Sequence, residues 1–328
     1  MRLFRHYTDL PADVRASSVA VGNFDGVHRG HLAVIGEAGR IAHANGLPWA
    51  VLTLEPHPRQ VFKPDTAPFR LTPLRIKARH IEALGVDALV VLHFDLEFSR
   101  RSARAFIEDV LVEGLGARHV VCGYDFAFSH DRAGSPELLL RLGGELGFDF
   151  TCVQEVRDDS GEPLSSTRVR QMLGAGDPAG AAAILGRPYE VEGRVDHGYH
   201  RGRTIGYPTA NVHLGEYLRP VNGVYAVRAG VDEGARTVWY DGVANLGRRP
   251  TFGGDDVLLE VHLFDFSGDL YGRHLRVQFI EYLRAEKAFD GLDGLKAQIA
   301  ADGARAREVL AHVGFFFARA QFSSRLQT

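Results

Sequence analysis

Cysteine is scarce: 328 residues hold only Cys122 and Cys152. Two are too few for a disulfide framework or a four-ligand zinc site, and both lie in apolar, strand-like runs. They read as reduced structural thiols, as expected of a cytoplasmic protein. Long hydrophobic runs are missing too, since no stretch reaches the roughly 18 apolar residues that would span a bilayer. The leading MRLFRHYTDLPADV carries no apolar segment before a small-residue cleavage site. A soluble, cytoplasmic chain without a membrane partner is therefore expected. Nor does one sign of charge dominate. The formal net charge is -3 with acids and bases interspersed, which argues against broad attraction to nucleic acid and leaves room only for local basic pockets.

What is present falls into two patterns. Residues 18–21 (SVAV), WAVLTL, ALVVLHF, HVVCG and FDFTCV alternate with helical stretches. One helix carries Leu32, Ile35 and Ala38 on a single face and ends at Gly46, placed as a left-handed cap. Another is expected to start with Thr72 as N-cap and Pro73 at the first helical position. Strands separated by helices imply right-handed crossovers and an α/β doubly wound parallel sheet, with ligands at the carboxyl ends of its strands. The pattern changes near residue 184, which divides the chain into expected domains 1–184 and 185–328. Beyond it, period-two runs such as YEVEGRV, GVYAVRA, LLEVHLFDF and LRVQFIEYL predict a closed antiparallel β-barrel, followed by a helix from about Leu292 to Val313.

In the first half, GNFDGVHRGH (22–31) follows a strand and opens a helix. Backbone N–H groups and the helix dipole favour an anion there. Gly22 and Gly26 let the turn come close to a ligand, while His28 and His31 can donate to phosphate oxygens from one side. Within the stretch no cysteine or third histidine accompanies the pair and Asp25 is the one carboxylate, a poor set for zinc, so a triphosphate suits the pair better. The bland reading is a tight turn with one surface histidine and one capping histidine. Asp25 reads equally as an Asx-type turn residue or a nucleotide contact.

The full string resembles the H-x-G-H signature of the nucleotidylyltransferase superfamily in the form used by bacterial FAD synthetases. LTLEPHPRQVF (52–62), CGYDFAFSHDRAG (122–134) and LSSTRVR (164–170) follow in that family's order. Leu54 stands in place of the usual phenylalanine, and Ala127 and Ser129 replace a common arginine and glycine, departures that bear on flavin contacts around 125–129. The resemblance implies that an FMN phosphate attacks the α-phosphorus of ATP, with FAD and pyrophosphate as products. His28 and His31 would stabilise charge; Gly22, Asn23, Phe24, Asp25 and Gly26 would surround the ATP. Ser165, Ser166, Thr167, Arg168 and Arg170 would lie over its phosphates, Arg170 being the preferred ligand, although unaided SSTR is a good helix N-cap. His57, Pro58, Asp125 and Phe126 are the implied flavin contacts.

In the second half, GRTIGYPTANV (202–212) fits neither a G-x-x-x-x-G-K-[ST] phosphate loop nor a dinucleotide fingerprint. It resembles the G-R-x-x-G-x-P-T-A-N motif of riboflavin kinases, whose fold is a small β-barrel. That resemblance implies ATP contacts from Gly202, Arg203, Gly206, Pro208, Thr209 and Asn211, with Thr209 and Asn211 as oxygen ligands near Mg²⁺ carried by ATP. In LLEVHLFDF, alternation turns Glu260, His262 and Phe264 away from Leu259, Val261 and Leu263. A solvated carboxylate is the plain reading of Glu260. Similarity to the family's E-x-H-x-x-D-F run makes it instead the general base toward the ribityl 5′-hydroxyl. NGVYAV and GVANLGRRPTFG also resemble family segments, and YLRAEKAFDGLDGL implies Arg284 and Glu286 as flavin ligands.

Covering roughly residues 15–314, the resemblance is to the bifunctional prokaryotic riboflavin kinase/FAD synthetases, with ATP, riboflavin, FMN and FAD as partners. A nucleotidylyltransferase for another phosphate would have no need of the GYPTAN barrel. A flavin- or nucleotide-binding regulator with a decayed site would not be expected to keep His28, His31, Thr209, Asn211 and Glu260. Oligomeric state is not legible in the sequence.

Overall fold

The computed structural model describes residues 1–129, 132–196, 206–251 and 254–323. It contains two compact units, Met1–Ala67 with Thr72–Ser166 and Pro68–Leu71 with Thr167–Thr328.

The first unit is built on parallel strands β1 (Arg2–Phe4), β2 (Ser18–Val21), β3 (Trp49–Glu55), β4 (Ala88–His93), β5 (His119–Gly123) and β6 (Asp149–Val153), in the order β1-β4-β3-β2-β5-β6. The central runs β2, β3, β4 and β5 bury both faces, as a parallel sheet requires, while β1 and β6 at the edges are more open. Val19, Val21, Leu52 and Val90 face a cluster with Ile107, Val110, Leu139 and Leu142. The alternate residues Ala20, Val51, Leu89 and Val121 face Ile35, Ala38 and Ile41. Between the strands run α1 (Arg29–Asn45), α2 (Pro58–Phe62), α3 (Leu74–Glu82), α4 (Leu96–Ser99), α5 (Ala103–Ala105) and α6 (Pro136–Leu146). Residues Phe106–Gly114 form a π-helix. Strand β1, which the sequence pattern does not reveal, pairs with β4 at the sheet edge.

Gly46 caps α1 with φ +64°, as expected. The expected cap of α3 is corrected: Pro73 occupies the N-cap position without a side-chain bond, and the Thr72 hydroxyl accepts the Gly26 N–H instead. Cys122 is buried and Cys152 half-buried, and neither forms a disulfide. Burial pushes the Cys122 thiol up to about 12.

The second unit closes strands β7 (Tyr189–Asp196), β8 (Ala210–His213), β9 (Gly223–Val231), β10 (Tyr240–Thr251), β11 (Gly254–Leu263) and β12 (His274–Arg284) into a barrel. Neighbours run antiparallel in the order β10-β11-β8-β7-β12-β9, and β9 pairs back onto β10. Helices α7 (Ser166–Gly174) and α8 (Pro178–Leu185) precede it, and α9 (Leu292–Ser323) follows. Ala306, Val309 and Leu310 of α9 pack on Val224, Ala226 and Ile280. The expected end near Val313 is ten residues short of the observed one. Segment Pro68–Leu71 belongs to this unit because Arg70 exchanges backbone hydrogen bonds with Glu216 and Leu218.

Two glycines of α1 make opposite demands. A Cβ on buried Gly39 would fall 2.7 Å from the Trp49 ring, whereas Gly36 faces open space. Gly39→Ala is expected to destabilise the first unit by about 1–3 kcal/mol through overpacking. Gly36→Ala is expected to stabilise it by about 0.5–1 kcal/mol through helix propensity. Urea unfolding of the two variants would reveal the opposite signs.

Candidate active sites

In the parallel sheet the strand order reverses at β2, with β3 on one side and β5 on the other. Ligands bind in the crevice beyond the carboxyl ends at such a switch point. The segment after β2 is GNFDGVHRGH and the segment after β5 is YDFAFS, so both motifs arrive there.

The turn after β2 is strained. Phe24, Gly26 and Val27 have φ of +47°, +94° and +43°, and two of these three carry side chains that disfavour that region. Neighbouring segments hold it in place. The Asp25 carboxylate accepts the Thr72 N–H at 3.0 Å, and the Thr72 hydroxyl accepts the Gly26 N–H at 2.7 Å. Ser166 donates its hydroxyl to the Asp25 carbonyl at 2.7 Å. The fully buried Lys77 donates to the Asn23 carbonyl and to Glu55, each at 2.8 Å. Gly22 is needed for packing, because a Cβ there would meet the Phe24 ring at 2.9 Å.

His28 is the N-cap of α1 and is 5% exposed. Its Nδ1 accepts the His31 N–H at 3.3 Å, so in the neutral ring Nε2 carries the proton. The His28 and His31 rings stack with centroids 3.5 Å apart, and Phe24 meets His31 edge-on. Gly30, between them, has no room for a side chain: a Cβ would lie 2.9 Å from the Leu164 carbonyl oxygen and 3.1 Å from the His28 ring.

Ser165 precedes α7, which carries Ser166, Thr167, Arg168 and Arg170. Arg170 donates Nε–H to the Phe69 carbonyl at 3.0 Å. His57 caps α2, with Nδ1 accepting the Arg59 N–H and Gln60 accepting the His57 N–H, while Pro58 fills the first helical position. Asp125 is exposed after β5, and Phe126 stacks on the buried Phe128. Ser129 has φ +66°, in the left-handed region that favours glycine.

In the barrel a cavity of about 1200 Å³ is lined by Pro208, Thr209, Asn211, Glu260, Arg284 and Glu286 among others. Gly206 adopts φ +89°. Gly202 and Arg203 lie outside the described residues. Strand register sets Glu260 opposite Asn211 on β8 and opposite Asn245 on β10, so the three share one rung. Asn211 is 6% exposed, and its Oδ1 has no hydrogen-bond partner among the described residues. Arg284 is held by Asp302 through Nε and Nη2, at 2.9 and 2.6 Å. Glu286 accepts from the Asn245 amide at 3.2 Å, in space that a side chain on Gly247 would fill.

Lys77, Gly30, Asn245 and Gly247 were not picked out by sequence reasoning, and Thr72 was read only as a helix cap. The segment GVANLG was noted as family-like, and that was the available signal for Asn245 and Gly247. Lys77 gave none, as lysine beside apolar helix positions reads as a solvated face.

A switch-point crevice with a histidine pair, joined in one chain to a barrel with a carboxylate-lined cavity, defines a two-site nucleotide-dependent transferase. The family model described as FAD synthetase matches residues 10–168, and that described as riboflavin kinase matches 185–310. The bifunctional riboflavin kinase/FMN adenylyltransferase of Escherichia coli K12 is 44% identical over 94% of this chain and 97% of its own. The Pseudomonas fluorescens protein of the same description is 43% identical over 95% and 98%. A Streptococcus pneumoniae crystal structure described as a macrolide-efflux protein is 31% identical, with TM-score 0.79, over 92% of this chain and 96% of its own. The chain belongs to the bifunctional riboflavin kinase/FMN adenylyltransferase family. Among its described residues no helix is long and apolar enough to cross a membrane.

The strained turn gives a stability test. Lys77→Met is expected to destabilise the first unit by about 3–5 kcal/mol, since it removes a buried ammonium that pairs with Glu55 and donates to the Asn23 carbonyl. Lys77→Met combined with Glu55→Leu should recover part of that loss in urea unfolding, and a single variant as stable as the wild type would contradict the assignment.

Proposed function

We propose that this chain phosphorylates riboflavin to FMN in the barrel cavity and adenylylates FMN to FAD at the switch point of the parallel sheet, using ATP in both steps. The observation that carries the reading is that each matched family span holds its own constellation: the capped histidine pair in one, the Asn211–Glu260–Asn245 rung in the other. The spans leave most of α7 and all but the last residue of α8 between them, which supports a functional boundary at 184/185.

In the barrel, Glu260 takes the proton of the ribityl 5′-hydroxyl as that oxygen bonds to the γ-phosphorus of ATP and ADP departs. Alignment contributes most to such a transfer and the base less. The buried Asn211 Oδ1 and the neighbouring Thr209 hydroxyl are oxygen donors suited to Mg²⁺. When bound, the ion neutralises phosphate charge. Arg284, fixed by Asp302, and Glu286, fixed by Asn245, border the same cavity and are assigned to the flavin.

At the sheet, an FMN phosphate oxygen bonds to the α-phosphorus of ATP while the bond to the β-phosphate breaks and pyrophosphate leaves. No protein nucleophile is needed, so the protein's work is alignment and charge stabilisation. His28 Nε2–H is a donor toward that charge, and His31 supports it by stacking. The turn 22–26 and the Ser165–Arg170 segment are assigned to ATP. Within that segment Arg170, whose Nε–H is on the Phe69 carbonyl, is the preferred phosphate ligand, and His57, Pro58, Asp125 and Phe126 are assigned to FMN. We place the enzyme in the cytoplasm, where its nucleotide substrate is available.

His28→Ala is expected to lower FAD formation by about 10²–10³-fold while FMN formation persists. Glu260→Gln should lower FMN formation by about 10²-fold and leave FAD formation from supplied FMN intact. Separating the flavins after incubation with ATP and Mg²⁺ reads both; equal loss of both activities in either variant would refute two separate sites.

A further inference from the structure

The barrel cavity has a histidine to which no role has yet been given. His262 stands two residues beyond Glu260 on β11, on the same strand face and about 7 Å further along. The β8–β11 ladder ends with Val261 opposite Ala210, so the next rung sets His262 across from Thr209, where β8 has not yet begun. There the His262 Nδ1 lies 2.8 Å from the Pro208 carbonyl oxygen. A carbonyl can only accept, so Nδ1 carries a proton whether the ring is neutral or charged. Tyr207 and Phe264 meet the imidazole edge-on, with centroids 5.6 and 5.8 Å away, and hold its plane.

We infer that His262 is a positioning residue for the kinase step. By donating to the Pro208 carbonyl, it fixes the peptide that carries Thr209 and so sets the Thr209 hydroxyl against the MgATP phosphates. The physical case is that Pro208 has no N–H and Thr209 precedes the ladder, so this stretch lies outside the strand pairing that orders Ala210 and Asn211. His262 extends the ladder by one side-chain bond. A single strand then fixes both parts of the reaction: Glu260, which activates the hydroxyl, and, through His262, the loop that receives the phosphates. A shift of about 1 Å in such a group is enough to cost a large factor in rate.

This inference rests on the kinase reading of the cavity. It is tested on the full chain with His262→Phe, which keeps a ring and loses the donor, and His262→Asn, whose amide can donate from nearly the same place as Nδ1. FMN formation is followed at varied MgATP and at varied riboflavin, and FAD formation from supplied FMN is measured alongside. His262→Phe is expected to raise KM for MgATP by about three- to tenfold, the scale of one lost hydrogen bond, with KM for riboflavin within about twofold. His262→Asn should return most of the MgATP affinity, and FAD formation should match wild type in both. General damage to the barrel would move both Michaelis constants and would not be rescued by asparagine. If His262→Phe fails to fold, His262→Leu against His262→Asn makes the same comparison. An unchanged KM for MgATP in the donor-less variant, an asparagine variant no better than it, or an effect confined to riboflavin would each overturn the inference. Wild-type protein that forms no FMN would bring down the kinase reading itself, and the inference with it.

Discussion

The first unit depends on a turn that would not hold its shape unaided. Phe24 and Val27 adopt left-handed φ, a conformation that costs on the order of 1–3 kcal/mol for each side-chain-bearing residue. Valine is β-branched and is especially disfavoured there. The conformation persists because polar groups from distant parts of the chain converge on it. Thr72 locks Asp25 and Gly26, Lys77 with Thr53 holds the Asn23 carbonyl, and Ser166 holds the Asp25 carbonyl. These bonds are buried or partly buried, where an unsatisfied partner is expensive, so the turn is determined several times over. What that rigidity produces is the entry to α1, with His28 as cap and the Gly30 backbone pressed against Leu164.

The barrel meets the same requirement, fixed groups beside a large cavity, by register. Asn211, Glu260 and Asn245 come from three strands and share a rung because antiparallel pairing leaves no freedom to slip without turning every side chain to the other face. A parallel sheet ends its strands at the site and must build the chemistry from loops, which explains the dense bonding around residues 22–26. An antiparallel barrel places its groups within strands.

Much of this architecture was legible. Alternation of apolar runs and helical periods located every strand of the first unit except β1, whose three residues Arg2–Phe4 are too few to show a period. The glycine at 46 was readable as a cap because a left-handed residue is the cheapest way to end a helix. Thr72 misled for a physical reason. Threonine before proline is an N-cap by local chemistry, but the Gly26 N–H competes for the same hydroxyl from 46 residues away. His57 has a local role that the sequence reading did not foresee: its Nδ1 caps α2 while Pro58 starts the helix. Lys77 could not be found locally, because its partners Asn23 and Glu55 are on other elements. For the same reason Asn245 is visible only once the strands are paired.

The histidine pair can be argued one step further from its proton placement. A metal ligand needs an imidazole lone pair, and in neutral His28 that lone pair sits on Nδ1, directed at the His31 N–H. Nε2 is then the protonated nitrogen, and a protonated nitrogen donates to an anion and cannot coordinate a cation. His31 stacks flat on His28 at 3.5 Å, whereas two ligands of one ion must converge with their nitrogens toward a common point. At the N-terminus of α1 the helix dipole adds positive potential, which favours phosphate and opposes a divalent ion. Each of these follows from His28 serving as cap to the helix it precedes, and the cap's own geometry thereby supports the phosphate role proposed for the pair.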